Sequence, residues 1–229
     1  RFEPKTRFKV KTISIDMYLP YIQLIKEMFP NAKIIIDPFH IVQALNRELN
    51  RTRVRVMNKH RYKDSKLYRK LKHYWKLILK NPNELQNYKY NRYKLFESFI
   101  TSKGIVDYIL EKNPSLKNDY EVVHSLRECI QDRDYIEFKE TIEAATQLDL
   151  SPGLKRVLKT LMTYLPYIQN TCEYPTRTNG PIEGINNKIK VLKRNAYGFR
   201  NYYHFRNRII LITKMFDPKQ KGIKQQLVA

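Results

Sequence analysis

From Phe8 to Ile15 the chain reads Phe-Lys-Val-Lys-Thr-Ile-Ser-Ile, an alternation rich in β-branched residues that predicts a strand ending at Asp16. Between 18 and 28 the period lengthens. Tyr18, Tyr21, Ile22, Ile25 and Met28 fall at helical spacing, and Pro20 sits in the first turn, where its missing N–H costs nothing. Phe29-Pro30-Asn31 closes that helix. Ala32 to Ile36 is a short apolar run, read as a buried strand ending at Asp37. Strand, helix and strand together take about 30 residues, the size of a βαβ unit with a parallel pair.

From Phe39 onward the pattern is helical, and no later segment reads as a strand. Ile41, Leu45 and Leu49 share one face of a helix that runs on through the Arg-rich stretch 47–61. Tyr68, Leu71, Tyr74, Trp75 and Ile78 give 64–80 an apolar stripe, closed by Asn81-Pro82-Asn83. Further helices are expected at about 92–100, 103–112, 119–131 and 133–147. Ser151-Pro152 opens another, with Leu154, Val157, Leu158, Leu161, Met162 and Leu165 following the i, i+3, i+4 rule. Residues 171–180 have loop composition. Pro181 then starts a helix whose apolar face is Ile182, Ile185, Ile189 and Leu192, with Glu183, Asn187 and Lys190 on a polar face. A last helix over about 199–216 is expected to bury Tyr202, Phe205, Ile209, Ile212 and Phe216.

The hydrophobic share of 42% can build a core, and six glycines exclude a Gly-rich chain. Charge adds a partner. Lys and Arg number 44 against 22 acids, a net +22, which favours a polyanion. The excess is uneven: +11 over 47–80, −6 over 107–149 and +12 over 150–229. Two basic segments with few acids to pair them point to nucleic acid, and the acidic stretch between them reads as a module facing away from it. Cys129 and Cys172 lie far apart with no CxxC pair, so they read as reduced thiols of an intracellular protein. No run of eighteen apolar residues predicts a membrane span.

Candidate chemistry gathers where the strands end. In open α/β sheets sites lie beyond the carboxyl ends of the strands. Asp16 and Asp37 would stand there side by side, suited to a hard cation such as Mg²⁺. Glu183, at the start of its helix among Asn186, Asn187, Lys188 and Lys190, is a third acid under a basic surface, as two-metal phosphoryl transfer requires. Each has a plainer role: either Asp could cap the following helix, Glu183 could meet the helix dipole, and His40 could be a histidine with ordinary partners. Arg51, Arg53 and Arg55 are candidates for phosphate contact, but at i, i+2 spacing they cannot all face one way. The aromatics of Tyr68–Trp75 fit a core stripe, with Trp75 as the one that could stack on a base.

Three stretches carry a resemblance: Ile13-Ser14-Ile15-Asp16-Met17-Tyr18; Phe29 to Val42, containing Asp37-Pro38-Phe39-His40; and Thr178 to Lys190, containing Asn179-Gly180-Pro181-Ile182-Glu183-Gly184-Ile185-Asn186-Asn187, continued by Arg194, Ala196, Gly198, Phe199, Arg200, Phe205 and Arg208. Together they resemble the insertion-sequence transposases of the ISL3 type, whose catalytic domain is a DDE domain of RNase H-like fold. The resemblance implies a fold class of α/β remnant plus mostly α: the C-terminal part of such a domain with a large helical insertion. Its parts would be a partial core over 1–46, the helical insertion over 47–170, and the Glu-bearing and C-terminal helices over 171–229. Asp16 would be the second acid of the triad and Glu183 the third, both metal ligands. Asp37 and His40 would support that site, or Asp37 would itself be the second acid; Pro38 stands where the family has Arg.

The implied cofactor is Mg²⁺, two ions in the intact enzyme, and the implied partner is DNA, at element ends and target. Asn187, Lys188, Lys190, Lys193, Arg194 and Arg200 would contact its backbone. The intact enzyme is expected to be a homo-oligomer of the cytoplasm or nucleoid. The fold needs earlier strands and a first Asp, and only seven residues precede Phe8. The expectation is therefore a C-terminal portion of a transposase, inactive alone. The alternatives are a non-catalytic nucleic-acid-binding helical protein, a decayed transposase remnant, or a nuclease on the same fold.

Overall fold

The computed structural model describes residues 3–213. The chain falls into two compact units, residues 1–178 and 179–229.

In the first unit, β1 (Thr12–Ile15) and β2 (Lys33–Ile36) pair in parallel around the helix α2 (Leu19–Met28), which the run of apolar positions anticipates. The register is Thr12↔Lys33 through Ile15↔Ile36, and the Asp37 N–H extends the ladder to the Ile15 carbonyl at 2.9 Å. The expected strand from Phe8 is shorter than its pattern. Pro4–Arg7 instead forms a helical turn, α1, and the N–H groups of Lys9 and Val10 fold back onto Thr6 and Arg7. Phe8 is about half exposed, so nothing rewards extending the strand to it.

Two strands do not make a stable sheet unaided. Here α3 (Pro38–Lys59) follows β2 directly, and α9 (Pro152–Glu173) packs along it. Asn170 donates from α9 to the Ile34 carbonyl at 2.8 Å, and the Thr171 hydroxyl to the Ile36 carbonyl at 2.7 Å. Side chains of a helix thus satisfy β2 carbonyls, the role a neighbouring strand would otherwise play. The boundary expected after residue 46 falls inside α3, which is one unbroken helix.

Between α3 and α9 lie α4 (Ser65–His73), α5 (Trp75–Leu79), a short antiparallel pair β3 (Asn91–Arg92) and β4 (Phe99–Ile100), α6 (Ser102–Glu111), α7 (Pro114–Asp132) and α8 (Tyr135–Ala145). The helix expected over 92–100 does not form. Tyr93, Phe96 and Ile100 have helical spacing, but they belong to a loop and hairpin in which Tyr93 and Phe96 lie against the Tyr74 ring. The apolar core runs without interruption through this unit, from Ile15 to Ile168.

A buried polar node fastens three helices. The Asp119 carboxylate of α7, fully buried, accepts from the Thr52 hydroxyl of α3 at 2.7 Å and from the Ser151 N–H at 2.9 Å, while the Ser151 hydroxyl caps α9 at the Leu154 N–H. Beside it, Gly153 leaves room for the buried Glu48, whose Oε2 would clash with an added Cβ. His124 of α7 is buried with Nε2 3.1 Å from the Ile78 carbonyl and Nδ1 3.1 Å from the Arg127 guanidinium. A guanidinium only donates, so Nδ1 accepts and the proton of the neutral ring sits on Nε2. Burial lowers its pKa to about 4. Both cysteines are free thiols pushed up by burial, Cys129 to about 11.

The second unit holds α10 (Gly180–Asn195) and α11 (Tyr202–Thr213), joined by a turn in which Tyr197 and Gly198 take positive φ of 49° and 107°. The Phe199 and Phe205 rings lie 4.7 Å apart. The burial expected of these helices is largely not found. On α10 Leu192 is buried while Ile182 is half exposed, and on α11 no residue is buried: Tyr202 and Ile212 are exposed, Phe205 and Ile209 intermediate. Phe216 lies outside the described residues.

Candidate active site and basic surfaces

The parallel register brings Asp16 and Asp37 to adjoining strand ends, as the sequence anticipates, and their surroundings then differ sharply. Asp37 is 3% exposed and caps α3, its Oδ1 accepting from the Phe39 N–H at 3.0 Å. Asp16 does not cap α2, whose N-cap is Tyr18 with no side-chain bond. Its carboxylate is 54% exposed, and Oδ1 lies 2.8 Å from Nε2 of His40. His40 is in the first turn of α3, so the Asp37 cap that starts the helix also sets where the imidazole stands. The sheet edge therefore offers one buried structural acid and one open acid held by a histidine.

Asp16 fits a magnesium ion as far as one ligand goes: a hard oxygen donor at an exposed edge, for a cation that keeps several waters and takes one or two carboxylates. Among the described residues no three His, Cys, Asp or Glu side chains gather as a metal cage. Glu183 is in the first turn of α10 and exposed, where a carboxylate meets the positive end of the helix dipole. Asn186, Asn187, Lys188, Lys190, Lys193, Arg194 and Arg200 are all exposed or partly exposed in the same unit.

On α3 the structure sorts the arginines by direction. Arg53 is 7% exposed, its guanidinium donates to the Leu71 carbonyl at 2.8 Å and to Asn50, and burial lowers its pKa; it ties α3 to α4 and has no surface left for a polyanion. Arg51 and Arg55 face outward, with Arg51 paired to Glu48. Arg47 and Lys59 are exposed too, so 47, 51, 55 and 59 form one stripe at four-residue steps. Counting by four from Arg51 finds Arg47 and Lys59 once the helix is known to be continuous.

A family model described as a transposase of the ISL3 type matches residues 1–209, and the chain belongs to that family. Over 207 residues it is 30% identical to the transposase for insertion sequence element IS1001 of Bordetella parapertussis, covering 88% of this chain and 47% of that protein. Over 130 residues it is 36% identical to a protein of Lactococcus lactis subsp. lactis named ATP-dependent protease, covering 57% of this chain and 40% of that protein. The chain thus spans less than half the length of either relative. No solved structure matches it. No helix among the described residues is long and apolar enough to cross a membrane.

Proposed function

We propose that this chain is part of the catalytic half of a transposase that cleaves DNA at the ends of an insertion sequence and joins the freed strand to target DNA. The observation that carries this reading is the open Asp16 carboxylate at the carboxyl end of β1, held by His40, in a chain of this family. The fold is proposed to be RNase H-like, with the helices from α4 to α8 as its insertion. Asp16 and Glu183 would hold Mg²⁺, which when bound supplies a Lewis acid and a water of lowered pKa. The chain's own residues do the rest. His40 fixes the rotamer of Asp16, and Asp37 fixes His40 by starting α3. Asn187, Lys188, Lys190, Lys193, Arg194 and Arg200 on one unit, and Arg47, Arg51, Arg55 and Lys59 on the other, would neutralise DNA phosphates. The acting enzyme would be a homo-oligomer inside the cell.

The test places Asp16→Asn and Glu183→Gln in a transposition-competent protein containing this chain. Each should abolish Mg²⁺-dependent cleavage of element ends, because each removes a carboxylate that would hold the ion. Retention of DNA in a mobility-shift assay should be unchanged. A cleaving Asp16 variant would remove Asp16 from the site. Loss of cleavage on Asp37→Asn, with Asp16→Asn active and both variants folded, would transfer the role to Asp37.

A further inference from the structure

A concave surface on the helical part of the first unit is built unlike the rest of the exterior. The helix expected over 64–80 breaks at Tyr74, so that Leu67, Leu71, Tyr74 and Ile78 enter the core while Trp75 turns outward, 40% exposed. The indole lies on the wall of a cavity of about 430 Å³ that it shares with Arg69, Lys72, His73, Lys94 and Leu95. A second cavity of about 530 Å³ adjoins it, with Arg69 and Leu95 common to both. There the Lys70 ammonium is 4.2 Å from the ring centres of both Phe96 and Tyr108. Among the described residues, no carboxylate makes an ion pair with Arg69, Lys70, Lys72 or Lys94.

The far wall is held in place at a cost. Leu95 takes φ of 71°, a left-handed backbone that costs a residue with a Cβ about 1–2 kcal/mol. The Tyr74 hydroxyl donates to the Lys94 carbonyl, and the Tyr93 and Phe96 rings pack against Tyr74. These contacts fix the segment that presents Lys94 opposite Trp75.

Cations without carboxylate partners around a part-exposed indole, which the Lys76 ammonium approaches at 5.7 Å from the ring centre, match a ligand with both phosphates and free base faces. We propose that this surface binds single-stranded nucleic acid, with an unstacked base on Trp75 and adjacent phosphates on Arg69, Lys72 and Lys94. In a duplex each base face is covered by its neighbours, so an indole has nothing to stack on; in a single strand every base offers one. The choice of nucleic acid among polyanions rests on the transposase reading, while the geometry is independent of Asp16 and Glu183.

Trp75 is the one tryptophan of the chain, so its emission reports this surface alone. An oligothymidylate of about sixteen nucleotides, a length that spans such grooves, should quench it on titration into the full chain. A duplex of equal length should quench it little. Trp75→Phe should bind within about two-fold of the parent, and Trp75→Ala about ten-fold more weakly, as loss of one stacked base implies. The triple change of Arg69, Lys72 and Lys94 to Gln should flatten the salt dependence by about two, at roughly 0.7 for each single-strand phosphate. Asp16→Asn should quench as the parent does, which separates this inference from the cleavage reading. The proposal is overturned if the oligomer binds without quenching, if folded Trp75→Ala binds as well as the parent, or if polyglutamate competes as well as the oligomer.

Discussion

Single side chains decide most of what is chemically distinct here. Asp16 and Asp37 are one register step beyond paired isoleucines, yet one is an open acid and the other a cap. The sequence places both at strand ends, but it cannot separate them, because the difference lies in burial, 3% exposed for Asp37 against 54% for the Asp16 side chain, which only the packed chain sets. Asp119 shows how much one acid can hold. Replacing it by Ala strands the Ser151 N–H in the interior, at about 1–3 kcal/mol, and leaves the Thr52 hydroxyl only its longer bond to the Ser151 hydroxyl at 3.0 Å. Asp119→Ala should therefore lower unfolding stability by about 2–4 kcal/mol in urea titrations. His124 gives a pH signature. Its pKa in the fold is about 4 against 6.5 for the free side chain, so the fold holds the neutral ring. That contribution is complete above pH 6.5 and is lost as pH falls toward 4, a difference of roughly 3 kcal/mol. His124→Gln should flatten the stability profile across that window; an unchanged slope would assign the acid sensitivity elsewhere.

At the scale of elements, the βαβ unit and the long helices are legible because their signals are redundant. β-Branched runs, Pro at helix starts and the Ser151-Pro152 cap all agree with the apolar period. Periodicity misleads where aromatic loops imitate it. Tyr93, Phe96 and Ile100 read as a helix face, yet Leu95 sits in a left-handed conformation no helix admits. Likewise the break at Tyr74 is invisible in the spacing, since the apolar stripe continues across it. The faces of α10 and α11 read as core because apolar spacing predicts what a face can bury, and not what lies against it. Helix α3 carries its own prediction. Changing Arg47, Arg51 and Arg55 to Gln should reduce the slope of duplex affinity against salt by about one for each phosphate left without its cation. Arg53→Gln should instead lower stability and leave that slope alone, because its guanidinium serves the Leu71 carbonyl.

Over the whole molecule, the clustered core and the excess charge are distributed differently. Every residue of the main apolar cluster lies between Ile15 and Ile168, whereas the last basic segment continues through the second unit. A chain ending at Thr178 keeps that whole cluster and should therefore still unfold cooperatively in urea. Broad, non-cooperative unfolding would mean that the first unit depends on the second. The +22 charge also acts on stability through self-repulsion, which added salt relieves.

Helix α3 has a further consequence as a measure of length. From His40, in its first turn beside Asp16, to its end at Lys59 it runs nineteen residues, or about 28 Å at ~1.5 Å per residue. The stripe from Arg47 to Lys59 takes about 18 Å of that, roughly five base pairs of duplex at ~3.4 Å each. One rigid rod thus fixes both the spacing and the angle between the acid and its cations. Inserting a single residue between His40 and Arg47 would swing every cation of the stripe by about 100° around the axis, whatever residue was chosen. In this interval the protein should accept changes of letter and refuse changes of length.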